Sequence, residues 1–285
     1  MLTLVCFHAH PDDEAIATGG TMMKAAAAGH NVVLVMATRG EQGEPAEGVL
    51  KEGERLGDRR EQEARAAAQI LDVSRIEFLP YEDSGMIHEP ANRNPACFWQ
   101  ADVEEAASKL AAILVDVNAD VLTLYDDHGG YGHPDHIQVH RVGHRAAEIA
   151  GVRRVFESTM NRNQIIEQID YFRDHDENGE TVDLEIDVDT IGTPENQITH
   201  AVNVEAFADR KRNAMKAHAS QITKDSFFLA MPDAIFLRRL ARNGILMQEV
   251  SGQVISLQIL SKGRLTKLRE VRYQVSTLEL GSLRR

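Results

Sequence analysis

Short apolar runs alternate with longer amphipathic stretches over the first 160 residues. Leu2–Phe7 is apolar except at Thr3, and Asn31–Ala37 carries Val-Val-Leu-Val-Met; both fit strands buried on both faces of a parallel sheet. Between them a helix is predicted from Asp12 or Asp13 through Ala28, with acids in its first turn, where the helix dipole favours them. Gly29 supplies its stop. Strand, helix, strand at this spacing predicts a βαβ unit. The alternation continues with helix Asp58–Leu71, strand Arg75–Leu79, helix Ala101–Val117, strand Asp120–Tyr125, a helix from Pro134 to about Ala150, strand Arg153–Thr159 and helix Asn161–Asp176. Within Ala101–Val117 the apolar positions Val103, Ala106, Ala107, Leu110, Ile113, Leu114 and Val117 follow the helical period. Two polar stretches, Thr38–Gly57 and Tyr81–Gln100, are too long for plain connections and read as functional loops.

Beyond residue 180 the pattern is looser. Thr181–Asp189 alternates as an exposed strand, Thr199–Val204 reads as another, and Glu205–Ile222 as a helix. Phe227–Arg242 is apolar and basic, with Pro232 interrupting or starting a helix. The expected fold class is α/β: a Rossmann-like, doubly wound, mostly parallel sheet with helices on both faces and a smaller C-terminal α+β portion. The expected organisation is a core over 1–180, a portion over 181–252 that completes the site, and a basic terminal extension over 253–285. That extension carries seven Lys/Arg against two Asp/Glu; it reads as packing on its own acidic body or as partly disordered, with a subunit contact, hence a homo-oligomer, as the alternative.

Composition narrows the function classes. The 285 residues are 43% hydrophobic with a formal net charge of −13, which argues against nonspecific nucleic-acid binding. No run approaches the roughly 20 apolar residues of a membrane span, and the opening Met1–Phe7 has no basic n-region, so it reads as a strand and not a signal peptide. Two cysteines, Cys6 in the first apolar run and Cys97 in a loop, fall in no CxxC pattern and suggest a reducing, cytoplasmic setting.

Two clusters carry the chemistry. His10-Pro11-Asp12-Asp13-Glu14 follows the first strand, and His133-Pro134-Asp135-His136 follows the strand ending at Tyr125. In doubly wound sheets ligands bind outside the carboxyl ends of strands, so both clusters can meet in one crevice. Taking His10, Asp13 and His136 as ligands leaves the open fourth position of a catalytic zinc site. Asp12 is then free to accept a proton, His133 to stabilise an oxyanion or protonate a leaving amine, and Asp135 to orient an imidazole. Helix capping by Asp-Asp-Glu is the competing reading. His140 and His144 continue from His136 at i+4 spacing, which leaves a His-x3-His metal pair open although these positions run down the helix away from the strand-end crevice, and His8 reads as a supporting or core histidine. His30, His88, His175, His200 and His218 take the solvent or packing reading. No Gly-x-Gly-x-x-Gly follows the first strand and no Gly-x-Ser-x-Gly occurs, which removes the dinucleotide-binding and serine-hydrolase readings. Gly129-Gly130-Tyr131-Gly132 gives the backbone freedom to place His133.

At these residues the sequence resembles the PIG-L/LmbE-like superfamily of zinc-dependent N-deacetylases. Ala9–Glu14 and His133–His136 carry the likeness. It extends to Arg60-x-x-Glu63, Asp83-Ser84-Gly85-Met86, Tyr125-Asp126 with Gly129–Gly132, and Lys216-Ala-His-Ala-Ser-Gln221. The resemblance implies one Zn2+ on His10, Asp13 and His136, with Fe2+ as another divalent candidate. It implies Asp12 as general base, His133 as stabiliser or acid supported by Asp135, and Tyr131 assisting at the oxyanion. Arg60 and Asp83 are implied as sugar contacts. The mycothiol branch is most similar, so the expected substrate is a small amino-sugar conjugate of the N-acetylglucosaminyl-inositol type. Mycothiol-like S-conjugates and other N-acyl glycosides are the alternatives; a metal-dependent phosphoesterase and a non-catalytic sugar-binding module are the rivals.

Overall fold

The computed structural model describes residues 1–174, 190–226, 228–230, 236, 242–249 and 276–278. The apolar runs form the expected strands: β1 (Thr3–His8), β2 (Asn31–Met36), β3 (Arg75–Phe78), β4 (Val121–Tyr125) and β5 (Arg154–Thr159). They pair in the order β3-β2-β1-β4-β5, all parallel. β1 is buried at every position, which explains why it reads as a continuous apolar run. Period-two alternation still divides it. Leu4 and Cys6 face a core shared with Met22, Met23, Leu34, Met36 and Leu71. Val5 and Phe7 face a second core with Val33, Leu110, Leu114, Leu122 and Val142.

Helices cover both faces. α1 (Gly19–Ala27) and α2 (Leu56–Ile70) lie on the first core, α3 (Val103–Asp116) and α5 (Pro134–Ala150) on the second, and the single turn α4 (Gly129–Gly132) leads into α5. α6 (Arg162–Asp174) follows β5. Asp102 caps α3 by accepting from the Glu105 N–H, and Gly151 ends α5 at φ 72°.

The C-terminal portion extends the same sheet. β6 (His200–Asn203), β7 (Arg242–Glu249) and β8 (Ser276–Leu278) continue the order as β5-β7-β6-β8, with β7 antiparallel to both neighbours and β8 parallel to β6. β8 is a piece of the basic segment that pairs into this edge. The expected strand Thr181–Asp189 and most of Phe227–Arg242 lie outside the described residues. Two helix expectations need correction. The helix expected from Asp12 or Asp13 begins as a π-helical turn, Glu14–Thr18, before α1. The helix expected over Glu205–Ile222 is a 3-10 turn and then α7 (Ala208–Ala217), ending before His218.

In the order β3-β2-β1-β4-β5 the chain reverses direction across the sheet between β1 and β4. This is where loops after adjacent strands part and leave a crevice. Both His-Pro-Asp clusters leave the sheet here.

α1 approaches closely enough that Gly20 has no room for a side chain: a Cβ there would lie 2.4 Å from Val204 Cγ2 and 2.5 Å from its Cβ. Overpacking of about 1–3 kcal/mol then opposes a helix-propensity gain of about 1 kcal/mol. Gly20→Ala is expected to lower the urea midpoint. A midpoint at or above that of the parent would show that Val204 gives way freely.

Candidate active site

The two clusters converge on one oxygen. Asp13 Oδ2 lies 3.5 Å from His10 Nδ1 and 3.3 Å from His136 Nε2. Each imidazole has its other nitrogen engaged. His136 Nδ1 donates to the Gly129 carbonyl at 3.2 Å, and His10 Nε2 donates to Asp135 Oδ2 at 3.2 Å, with Asp83 Oδ1 at 3.4 Å. Those bonds leave the lone pairs of Nδ1 on His10 and Nε2 on His136 turned toward a carboxylate oxygen. Three such groups facing one another in a buried site call for positive charge between them, a proton or a metal ion. Donor atoms that share one tetrahedral zinc at about 2.0–2.1 Å stand about 3.3–3.4 Å apart, and the two spacings here fit that. The donor chemistry and its geometry therefore suit a divalent metal. His133 adds a third imidazole within reach of His10 and His136.

The electrostatics carry the same demand for positive charge. Burial works to keep His10 neutral, but Asp83, Asp13 and Asp135 together hold its pKa well above the ordinary value. Asp13 is held well below the usual carboxylate range despite burial, through His136 and His10. Burial and the neighbouring His10 and His136 push His133 down to about 3. Its Nδ1 accepts from the Asp135 N–H at 3.1 Å, so the ring is neutral with its proton on Nε2.

Local backbone chemistry explains how the side chains get there. Asp13 makes no capping bond to the following helix; its carboxylate accepts from the His10 N–H at 2.9 Å and faces the cluster. The capping reading therefore fails. Asp12 sits at φ 112°, a conformation that costs a non-glycine residue about 1–3 kcal/mol. Two buried groups hold it there. Its N–H donates to Glu14 Oε2 at 2.9 Å, and Arg60 Nη2 donates to the Pro11 carbonyl at 2.5 Å and lies 3.3 Å from Asp12 Oδ2. On the other cluster, Asp126 accepts from the Gly130 N–H at 2.6 Å and from Thr159 Oγ1 at 2.5 Å. That pins the glycine turn and presents the Gly129 carbonyl to His136. Gly129, at φ 66°, has no space for a Cβ, which would lie 2.5 Å from His136 Cβ.

The family model for PIG-L, GlcNAc-PI de-N-acetylase, matches residues 5–147. The 1D-myo-inositol 2-acetamido-2-deoxy-alpha-D-glucopyranoside deacetylase of Acidothermus cellulolyticus is 42% identical over 246 residues, covering 82% of this chain and 84% of that one. The chain belongs to the PIG-L family. It is thus an amide hydrolase of the de-N-acetylase kind. Among solved structures, the N,N'-diacetylchitobiose deacetylase of Pyrococcus horikoshii shares the fold at 18% identity, with a TM-score of 0.56 over 87% of this chain and 84% of that one. The 4-carboxy-2-hydroxymuconate hydratase of Pseudomonas putida superposes equally well, at TM-score 0.56 and 18% identity over 90% and 99% of the two chains. Proteins of different named activities therefore share this fold. No helix among the described residues is long and apolar enough to cross a membrane.

Within this PIG-L chain two expected roles are relocated. Arg60, expected at the sugar, is 4% exposed and donates to the Gly40 and Pro11 carbonyls beneath Asp12. Asp135, expected behind His133, places its carboxylate on His10 and on the Ser84 N–H and hydroxyl; only its backbone N–H meets His133. Asp83 is also buried, accepting from the Gly85 and Gln42 N–H groups beside His10. Tyr131 stands at the mouth, 46% exposed, its hydroxyl 3.5 Å from His136 Nε2.

Several supporting residues escaped the sequence reading. His218, given a solvent or packing reading there, is fully buried with Nε2 2.6 Å from Glu14 Oε1. Ser220 donates through N–H and hydroxyl to Glu63 at 3.0 and 2.6 Å. Tyr125 stacks on His136 at 4.3 Å and meets His8 Nδ1 through its hydroxyl at 2.8 Å. His8 also bonds Thr18 Oγ1, so it supports the site from the core and is turned away from the cation position. The blocks quoted above already contain Glu14, Glu63, Ser84, Tyr125, His218 and Ser220; their pairing partners were not visible there.

Removing Arg60 strips two buried carbonyls and one carboxylate of their donors. Arg60→Ala is expected to cost about 3–5 kcal/mol, read as a fall in denaturation midpoint. A loss below about 1 kcal/mol would show that water replaces the guanidinium without penalty.

Proposed function

We propose that this protein hydrolyses the N-acetyl group of a glucosamine-inositol conjugate of the kind named for its Acidothermus relative. The observation that carries the reading is the Asp13 oxygen between two imidazole lone pairs, in a chain whose family is defined by de-N-acetylation. His10, Asp13 and His136 would hold one divalent ion. Zinc suits two nitrogens and one oxygen, and Fe2+ suits imidazole as well. When bound, such an ion lowers the pKa of a water and polarises the acyl carbonyl.

The chain's own groups then divide the remaining work. Asp12 takes the proton of the attacking water. Burial pushes its pKa up to about 6, against the pull of Arg60, and a base poised near neutral pH is best matched to that transfer. As the carbonyl becomes tetrahedral, the His133 Nε2–H donates to the developing oxyanion, with the Tyr131 hydroxyl as a second donor. The proton collected by Asp12 passes to the departing nitrogen, so the products are acetate and a free amine. Asp83 and Asp135 hold His10 in the tautomer that turns Nδ1 to the ion, the carboxylate–histidine arrangement of metal sites. Arg60 fixes Asp12 in its strained backbone. An amino-sugar substrate, a cytoplasmic setting and no nucleic-acid partner complete the reading.

The direct test is release of free amine from N-acetylglucosaminyl-inositol, beside N-acetyl chitooligosaccharides and S-conjugated N-acyl glucosaminides. Turnover is expected to be highest on the inositol conjugate; preference for an S-conjugate would replace it with the amidase reading. Asp12→Asn should lower kcat by about 10²–10⁴; parental turnover in that variant removes the base assignment. Chelation should abolish turnover and added Zn2+ restore it in the parent but not in His136→Ala. Restoration in His136→Ala would reject that residue as a ligand.

A further inference from the structure

His140 and His144 lie one and two turns beyond His136 on α5 and converge on Glu157 of β5. His144 Nε2 is 2.8 Å from Glu157 Oε1, and His140 Nδ1 is 3.4 Å from the same oxygen. The two rings meet edge to face with centroids 4.5 Å apart. Each of the three side chains offers a ligand atom within 4.8 Å of the other two. Glu157 is 3% exposed, and its ion-pair partners among the described residues are these two imidazoles. A buried carboxylate must meet a cation. Among the described residues no arginine or lysine is paired with it; the groups that face it are imidazoles, which can offer a proton or lend a lone pair to an ion.

Three features point to an ion. Histidines at i and i+4 share a helix face, and a carboxylate from the adjoining strand completes a two-nitrogen, one-oxygen set of the kind zinc takes. His140 Nδ1 lies 3.1 Å from the Tyr125 carbonyl as well as facing Glu157, a contact that orients the ring toward the cluster. Finally, the His140 and His144 side chains are 17% and 18% exposed, so solvent can supply further ligands. We infer that His140, His144 and Glu157 form a second divalent-metal site, suited to Zn2+ or a similar borderline ion and independent of the catalytic cluster. At about 1.5 Å per residue, its histidines stand about 6 and 12 Å along α5 from His136. That exceeds the roughly 3.5–4 Å of a shared two-metal centre. The ion would tie α5 to β5 just below the active-site ligands that α5 carries.

Metal content decides the matter. Chelated full-length protein is reloaded with Zn2+, desalted and assayed for zinc per chain by plasma mass spectrometry. The parent is expected to retain two ions, His144→Gln one, His136→Ala one, and the double variant none. Glutamine at 144 can still donate to Glu157 but is a poor ligand, so the metal-free fold should be kept; Glu157→Gln, also expected to retain one ion, serves if it is not. Zn2+ should raise the melting temperature of His136→Ala and leave His136→Ala/His144→Gln unmoved. One ion in both the parent and His144→Gln would mean a protonated His–Glu cluster only, and two ions in both His144→Gln and Glu157→Gln would place the second ion elsewhere; either result overturns the site. The outcome is independent of whether the amide-hydrolase substrate is the one proposed.

Discussion

The arrangement of this molecule turns on one carboxylate oxygen that faces two lone pairs. Asp13 Oδ2, His10 Nδ1 and His136 Nε2 repel one another unless positive charge lies between them. Everything nearby holds that juxtaposition in place. The Gly129 carbonyl and the Asp135 carboxylate occupy the far nitrogens of the two imidazoles, so in the neutral rings the inward nitrogens carry lone pairs. Holding such groups this close in a buried site costs stability unless positive charge offsets it.

The sheet makes this possible at long range. β1 and β4 are neighbours at the point where strand order reverses, so loops separated by more than a hundred residues leave the sheet side by side. The C-terminal part then locks the first loop from behind. His218 reaches Glu14, which fixes the Asp12 backbone, and Ser220 reaches Glu63 on the helix that also carries Arg60. The strained turn at Asp12 is thus held by groups from three separate stretches of chain, and buried hydrogen bonds of this kind are costly to break.

α5 is the common rail. Its first turn supplies His133, Asp135 and His136, and the next two turns present His140 and His144 to Glu157. Tyr125 links the two levels: its ring stacks on His136 while its carbonyl meets His140 Nδ1. A change at the lower cluster therefore has a short physical route to His136, through one aromatic ring and one backbone carbonyl.

The local periodicities of the sequence determined the strands, the helices of the parallel core, and the meeting of two His-Pro-Asp clusters at strand ends. Hydrophobic runs such as Leu2–Phe7 and the helical spacing of Val103–Val117 report which faces are buried, and strand-end position then follows from α/β topology. The same spacing displayed the His140/His144 pair but could not supply Glu157, which comes from a different element. Only the tertiary structure decided that Asp135 serves His10, that Arg60 lies beneath Asp12, and that His218 belongs to Glu14 at a separation of 204 residues. Periodicity encodes the direction in which a side chain points relative to its own element. The partner it meets depends on how elements pack, and that is set by the sum of many contacts distributed along the chain.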